Sequence, residues 1–170
     1  MSHSVHPYSH RLGILRDWKS RWFPVSQTLY KDFLKSDIAL REYLEKKMRG
    51  QYVGAIEMER NDKSFRLIIK TTRPGVIIGR SGEGSIKLRN DILKFAKRNK
   101  LSVPEDFKLD IEEIKSPESN AAIVAYMIAE ALEKRMTFRR VMKQTVEKAM
   151  ANRDVKGIRL FLGGRLGGAE

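Results

Sequence analysis

The apolar positions of this chain change period along its length. From Lys35 to Gly50 the sequence reads KSDIALREYLEKKMRG, and Ile38, Leu40, Tyr43, Leu44 and Met48 supply an apolar stripe among charged residues. That pattern predicts an amphipathic helix. Ser36 or Asp37 is its expected cap, and Gly50 follows a basic last turn. The period then falls to two. In VGAIEMER, Ile56 and Met58 alternate with Glu57 and Glu59; SFRLIIKT follows after Asn61-Asp62. Two such runs around a turn predict a β-hairpin. Pro74 opens a short helical turn in RPGVIIG, and Glu83 to Lys100 predicts a long helix. Leu88, Ile92, Phe95 and Ala96 share one side of it; Lys87, Asp91, Lys94 and Arg98 share the other. In FKLDIEEI, Phe107, Leu109, Ile111 and Glu113 fall on one parity of a third strand.

Beyond this point Ser116-Pro117-Glu118 predicts a helix start, with a hydroxyl cap, proline at the first helical position and an acid at the positive dipole end. The Ala-rich helix should run to about Lys134, and Thr137 should cap another reaching about Met150. VKGIRLFLGG predicts a strand. Residues 1–30 are polar, basic and aromatic and predict an extended arm. The expected organisation is therefore an arm (1–30), an α/β (α+β) domain (31–115) and a second two-layer α/β domain (116–170). Two helices and one strand cannot cover each other well, so that second domain is expected to be incomplete here, with further sheet supplied by a longer product or a partner.

Composition sharpens this picture. The chain has 170 residues, 41% hydrophobic and 32% charged, with a net charge of +13. It can bury a core, and its field favours polyanions. The charge is clustered: Arg73 to Lys100 holds eight Lys/Arg against two Asp/Glu, and Leu101 to Lys115 holds two against five. Clustering of this kind marks a binding footprint. There are no cysteines, which removes disulfides, thiolate catalysis and cysteine-ligated zinc. No apolar run approaches the roughly twenty residues of a membrane span, and the N-terminus lacks a signal-peptide core. A cytoplasmic protein with no membrane partner is expected.

The stretch Gly79-Arg80-Ser81-Gly82 explains why an apolar run breaks before a lysine-rich helix. A short helix leading into Gly-x-x-Gly and a second helix aims backbone N–H groups and a positive dipole end at one point. Glycine allows a phosphate to approach with no Cβ in the way. Arg80 adds a mobile charge, and Lys87 and Lys94 continue the attraction. A GxxG loop between two helices, after a hairpin and in a basic chain, is the arrangement of a type II KH domain, which clamps about four nucleotides of single strand. KH loops usually carry an apolar residue three places after the second glycine. Ser85 stands there instead, Ile86 comes one later and Gly84 weakens the first turn, so a displaced helix start is expected.

KRMTFRRVMK brings Lys134, Arg135, Arg139, Arg140 and Lys143 together with no acid among them. With Phe138, Val141, Met142, Thr145 and Ala149 as the buried side, Arg139, Arg140 and Lys143 occupy the opposite arc. They sit in the first turns of their helix, where the dipole opposes each cation by about 0.3–1 kcal/mol. Stability gives no reason for such placement; polyanion binding does.

Other constellations fail. His3, His6 and His10 have no nearby carboxylate or cysteine to complete a metal site. No P-loop or dinucleotide fingerprint is present, and no cofactor is expected. Glu57, Glu59, Asp110 and Glu112 alternate on strands and should face solvent or basic neighbours, leaving no catalytic pair. Gly164-Arg165-Leu166-Gly167 reads as a strand-end loop, with Arg165 near phosphate. Trp18, Trp22, Phe23 and Tyr30 either stack on bases or anchor the arm. Arg11, Lys19 and Arg21 are the arm's expected RNA contacts.

HPYSHRLGILRDWKSRWF, TTRPGVIIGRSGE and FRRVMKQTVEKAM followed by VKGIRLFLGGRLGGAE together resemble one family: the bacterial-type KH-domain protein of the small ribosomal subunit, the ribosomal protein S three family. His6 and Ser9-His10 depart from its usual asparagine and Gly-Phe. The resemblance implies a non-enzymatic constituent of the small-subunit head that binds small-subunit rRNA and the S ten and S fourteen proteins. It also implies that Arg139, Arg140 and Lys143 line the channel through which mRNA enters. A free-standing KH regulator of mRNA is the alternative.

Overall fold

The computed structural model describes residues 5–61, 63–104 and 106–166; His3, Asp62 and Gly167 lie outside the described residues. The elements are β1 (Ser20–Arg21), α1 (Gln27–Lys47), β2 (Val53–Arg60), β3 (Ser64–Thr71), α2 (Pro74–Ile78), α3 (Glu83–Arg98), β4 (Asp106–Glu113), α4 (Ala121–Glu133) and α5 (Phe138–Met150). The sheet order is β1-β2-β3-β4. β2 and β3 form the expected antiparallel hairpin, with Met58 opposite Leu67. β4 runs parallel to β3 with Leu109 opposite Leu67, and the short β1 lies parallel to β2.

α1 starts ten residues earlier than its apolar stripe suggests. Ser26 is the cap, its side chain accepting from the Leu29 amide, so the helix crosses the boundary expected at residue 30. Ser36 and Asp37 are not caps; both are buried inside the helix. With the longer helix the inward face runs Phe33, Ser36, Asp37, Leu40, Leu44, Met48, and Ile38, about 100° away from Asp37, is half exposed.

Leu40 and Leu44 of α1 and Ile92 of α3 pack on Met58, Leu67, Ile69 and Phe107 on one face of the sheet. Each such side chain contributes about 1.5–3 kcal/mol when fully buried. Tyr43 and Phe95 stack at 4.2 Å between the two helices.

The opposite face is a ladder of ion pairs. Arg21 reaches Glu57 (2.9 Å) and Glu59 (2.7 Å); Lys70 reaches Glu57 (2.7 Å); Arg66 holds Glu59 (3.2 Å) and Asp110. The strand acids thus face basic neighbours, as their alternation implies.

One charged pair lies on the core side. β2 buries Ile56 and Met58, and the same parity carries Arg60 inward. Its guanidinium donates to Asp37 (3.0 Å) and to the Ser102 carbonyl (2.7 Å), between the rings of Phe33 and Phe65, each 4.5 Å away. Trp22 Nε1 donates to the other Asp37 oxygen at 2.7 Å. Burial pulls the Arg60 pKa below its usual value, with Asp37 opposing.

The last third differs in detail from expectation. Pro117–Ser119 is a separate 3-10 turn, and Asn120 caps α4 by accepting from the Ala122 and Ile123 amides. Proline at the first position suits either helix type, so the Ser116 signal marks the turn and not α4 itself. α4 and α5 pack through Val124, Ile128 and Val141, with Leu160 and Leu162 against them. Thr137 precedes α5 but makes no side-chain cap bond. The predicted strand over VKGIRLFLGG does not form: the segment is outside any sheet among the described residues. Its alternation survives, with Leu160 and Leu162 inward and Phe161 exposed, but a strand needs a ladder partner.

Candidate nucleic-acid interface

α2 ends at Gly79 (φ 71°), the chain turns through Ser81 (φ 51°) and Gly82 (φ 81°), and α3 begins at once with Glu83. The helix start is therefore not displaced. Ser85 donates its hydroxyl hydrogen to the Gly82 carbonyl (2.7 Å), tying the loop to the first turn. Gly84 has a different role from the weak helix former read in the sequence. A Cβ there would sit 2.5 Å from the Ile77 carbonyl oxygen and 2.8 Å from that of Ile78. Glycine at 84 is what lets the end of α2 press on the start of α3.

Around this loop Arg80, Lys87 and Lys94 are exposed. Val76 and Ile86 beside them are about 60% exposed, an apolar border to the charged face. Asp91 on the same helix is engaged by Lys47; that bond, opposed by desolvation, holds the Asp91 carboxyl below its usual range.

The second cluster lies where α4 turns into α5. Arg135 (φ 59°) occupies the left-handed position after the helix, with its amide on the Leu132 carbonyl and the Met136 amide on the Ala131 carbonyl. This is the Schellman arrangement, in which glycine is the default. No acid lies in the first turn of α5. Arg139 leans on the Phe138 ring at 5.7 Å, and Lys143 is 4.0 Å from Glu147, while Arg140 has no ion pair among the described residues. Lys134 is different: Glu130 holds it at 2.5 Å. Replacing Arg135 by glycine should relieve roughly 1 kcal/mol of backbone strain. The expected result is a melting temperature raised or unchanged together with weaker RNA binding, read by calorimetry and by titration with labelled RNA.

The arm divides. Trp22 packs against Tyr30 (5.4 Å) and Phe33 (5.6 Å), so these two residues anchor it. Trp18 and Phe23 stay exposed, at 61% and 99%. Arg11 is exposed and donates to the Pro7 carbonyl (2.8 Å); Lys19 lies 5.2 Å over the Tyr8 ring. Arg21 does not join them. Burial would lower its pKa, but Glu59, Glu57 and Asp17 outweigh that and raise it, leaving a cation already neutralised by three carboxylates. Arg165 is exposed beside Gly164. His6 Nδ1 accepts from the Tyr8 and Ser9 amides at 3.2 Å each.

The order α-β-β-α-α-β with a GxxG loop between the second and third helices of that series defines a KH-domain protein of type II. The KH domain family matches residues 39–119, and the family described as Ribosomal protein S3, C-terminal domain, matches residues 128–170. The chain is 41% identical over all its 170 residues to the small ribosomal subunit protein uS3 of Caldicellulosiruptor bescii, covering 73% of that protein. It is 42% identical over the same span to the uS3 protein of Stutzerimonas stutzeri, covering 71% of it, and 41% identical to that of Endomicrobium trichonymphae, covering 69%. The chain belongs to the small ribosomal subunit protein uS3 family.

Proposed function

We propose that this protein serves as a structural, non-enzymatic constituent of the small ribosomal subunit in the cytoplasm, and that it holds small-subunit rRNA by phosphate neutralisation. In this reading Gly79–Gly82 receives a sugar-phosphate strand against the backbone, with Arg80, Lys87 and Lys94 beside it. Arg135, Arg139, Arg140 and Lys143 form a second face that lines the path of incoming mRNA, and Arg11, Lys19 and Arg165 add outlying contacts. The KH domain, from α1 to β4, and the C-terminal domain over 116–170 supply one face each. Neighbouring proteins of the subunit head, the S ten and S fourteen families among them, complete the setting.

The observation that carries this reading is the basic start of α5. Arg139 and Arg140 stand at its positive end with no acid in that turn, a placement that opposes folding and favours an anion. Changing Arg139 and Arg140 together to alanine should leave the melting temperature unchanged or raised. RNA binding should weaken, and the slope of log affinity against log salt should fall by about 0.7 per lost phosphate contact on single strands. A large drop in melting temperature with unchanged RNA affinity would reverse the assignment. Sucrose-gradient sedimentation should place the tagged protein with small subunits; a position with free mRNA alone would favour a KH regulator.

A further inference from the structure

Tyr52 lies between α1 and β2 in a left-handed conformation (φ 51°) that disfavours a non-glycine residue by roughly 1–2 kcal/mol. Strain of this kind persists where the surrounding contacts hold it in place. The Tyr52 hydroxyl donates to the carboxylate of Glu130 on α4, and the Arg73 guanidinium lies over the Tyr52 ring at 4.5 Å. Arg73 directly precedes α2, the helix that delivers the glycine loop. Thr71 joins the same corner: its hydroxyl donates to the Gln51 carbonyl (2.8 Å) and accepts from the Arg73 amide (3.2 Å). At the other end Glu130 also accepts from Lys134 (2.5 Å), one residue before Arg135.

Beneath this corner α4 rests on β2 at Gly54. A Cβ there would meet Ile114 Cδ1 at 2.6 Å, Asn120 Nδ2 at 2.9 Å and Ile123 Cδ1 at 3.1 Å. Ile123 is fully buried in this contact. Ile123 is near the start of α4, so any tilt of the helix on the sheet would pivot about this end. Glu130 is seven residues further along the helix, about 10 Å from Ile123. A bond made there resists rotation about the pivot far better than one made at the pivot itself. Arg49 and Glu133, 2.5 Å apart, add an exposed pair on the same side.

We infer that Tyr52 is a positioning residue whose contacts with Glu130 and Arg73 set the angle between the GxxG face and the α4–α5 basic corner, so that RNA held at one face lies at a fixed span from RNA held at the other, and a single long RNA that reaches both reports that span. The geometry stands alone; its consequence for RNA rests on the reading above. Two faces held at a fixed span bind one strand more tightly than two faces that must first be aligned. The bond is intact near neutral pH. Glu130, and then burial, push the Tyr52 pKa up, while Lys134 and Tyr52 hold the Glu130 carboxyl below its usual range.

The absence of cysteine allows a clean test. Asn90→Cys on α3 and Lys148→Cys on α5, both exposed, take spin labels on the full chain. Pulsed dipolar spectroscopy should give a narrow distance distribution that broadens with Tyr52→Phe, a change that keeps the ring and removes only the hydroxyl. Affinity for a uridine-rich RNA of roughly 60 nucleotides should fall about 3–10-fold, while affinity for one of roughly 8 nucleotides, long enough for one face, stays the same. Glu130→Gln, which keeps an acceptor for the tyrosine, should broaden the distribution less. An unchanged distribution in Tyr52→Phe overturns the inference, whatever RNA does. A broadened distribution with both affinities unchanged overturns its RNA consequence. Should the unaltered protein bind neither RNA, the RNA reading falls, and the distance distribution still decides the clamp.

Discussion

Asp37→Ala is expected to lower the unfolding free energy by about 3–5 kcal/mol, because it leaves the Arg60 guanidinium buried without its counter-charge. Asp37 and Arg60 are both 3% exposed, so water cannot replace the lost partner. The same change strands the Trp22 indole N–H, which donates to Asp37 and joins the arm to α1. Arg60 would be left with the Ser102 carbonyl and two ring faces. Urea unfolding should show a lower midpoint with little change in slope. Replacing the pair together, Asp37→Leu with Arg60→Met, should recover most of the loss, since apolar groups of similar volume often match or exceed a buried ion pair. Equal losses in the single and the double variant would mean that packing around Phe33 and Phe65, and not the unpaired charge, sets the cost.

Gly84→Ala tests the contact between α2 and α3. Helix propensity alone forecasts a gain of about 1 kcal/mol. The structure forecasts the opposite sign. The added methyl would meet the backbone oxygens of Ile77 and Ile78 at 2.5 and 2.8 Å, and backbone cannot turn aside as a side chain can. A net loss of roughly 1–3 kcal/mol is expected. Ile78 adjoins Gly79, so the shift needed to admit the methyl also moves the loop, and RNA affinity should fall with the melting temperature. Gly75→Ala is the matched control. It lies in α2 with nothing within 4 Å of its would-be Cβ, and it should be neutral or stabilising. A stabilised Gly84→Ala protein with normal RNA affinity would remove the close helix contact from the account.

Much of this architecture is legible in local spacing. The hairpin, the strand after it, the short helix into Gly79 and the basic start of α5 follow from periods of two and of three to four, which state which side of an element meets water. The acids of the sheet face reveal themselves in the same way. The GxxG loop is legible too, because the chain turns there through left-handed conformations at Gly79 and Gly82 that glycine adopts most readily. Arg60 shows where such reading stops too soon. It continues the buried parity of Ile56 and Met58, yet its charge argues against burial until a partner is known.

That partner is 23 residues away on another element, and nothing in the spacing around Asp37 identifies it. Gly84 looks like a weak helix former in the sequence and is a close contact in space, as Gly54 is on β2. Whether Trp22 stacks on bases or anchors the arm depends on where Phe33 lies, and Arg21 is a binding cation or a neutralised one according to which acids β2 turns toward it. VKGIRLFLGG has the alternation of a strand and no strand beside it. Sequence states what each residue does to its own few neighbours, because hydration and backbone preference act over a turn or a pleat. Pairings across the fold depend on the angles at which whole elements pack, and those emerge only when all the elements are in place together.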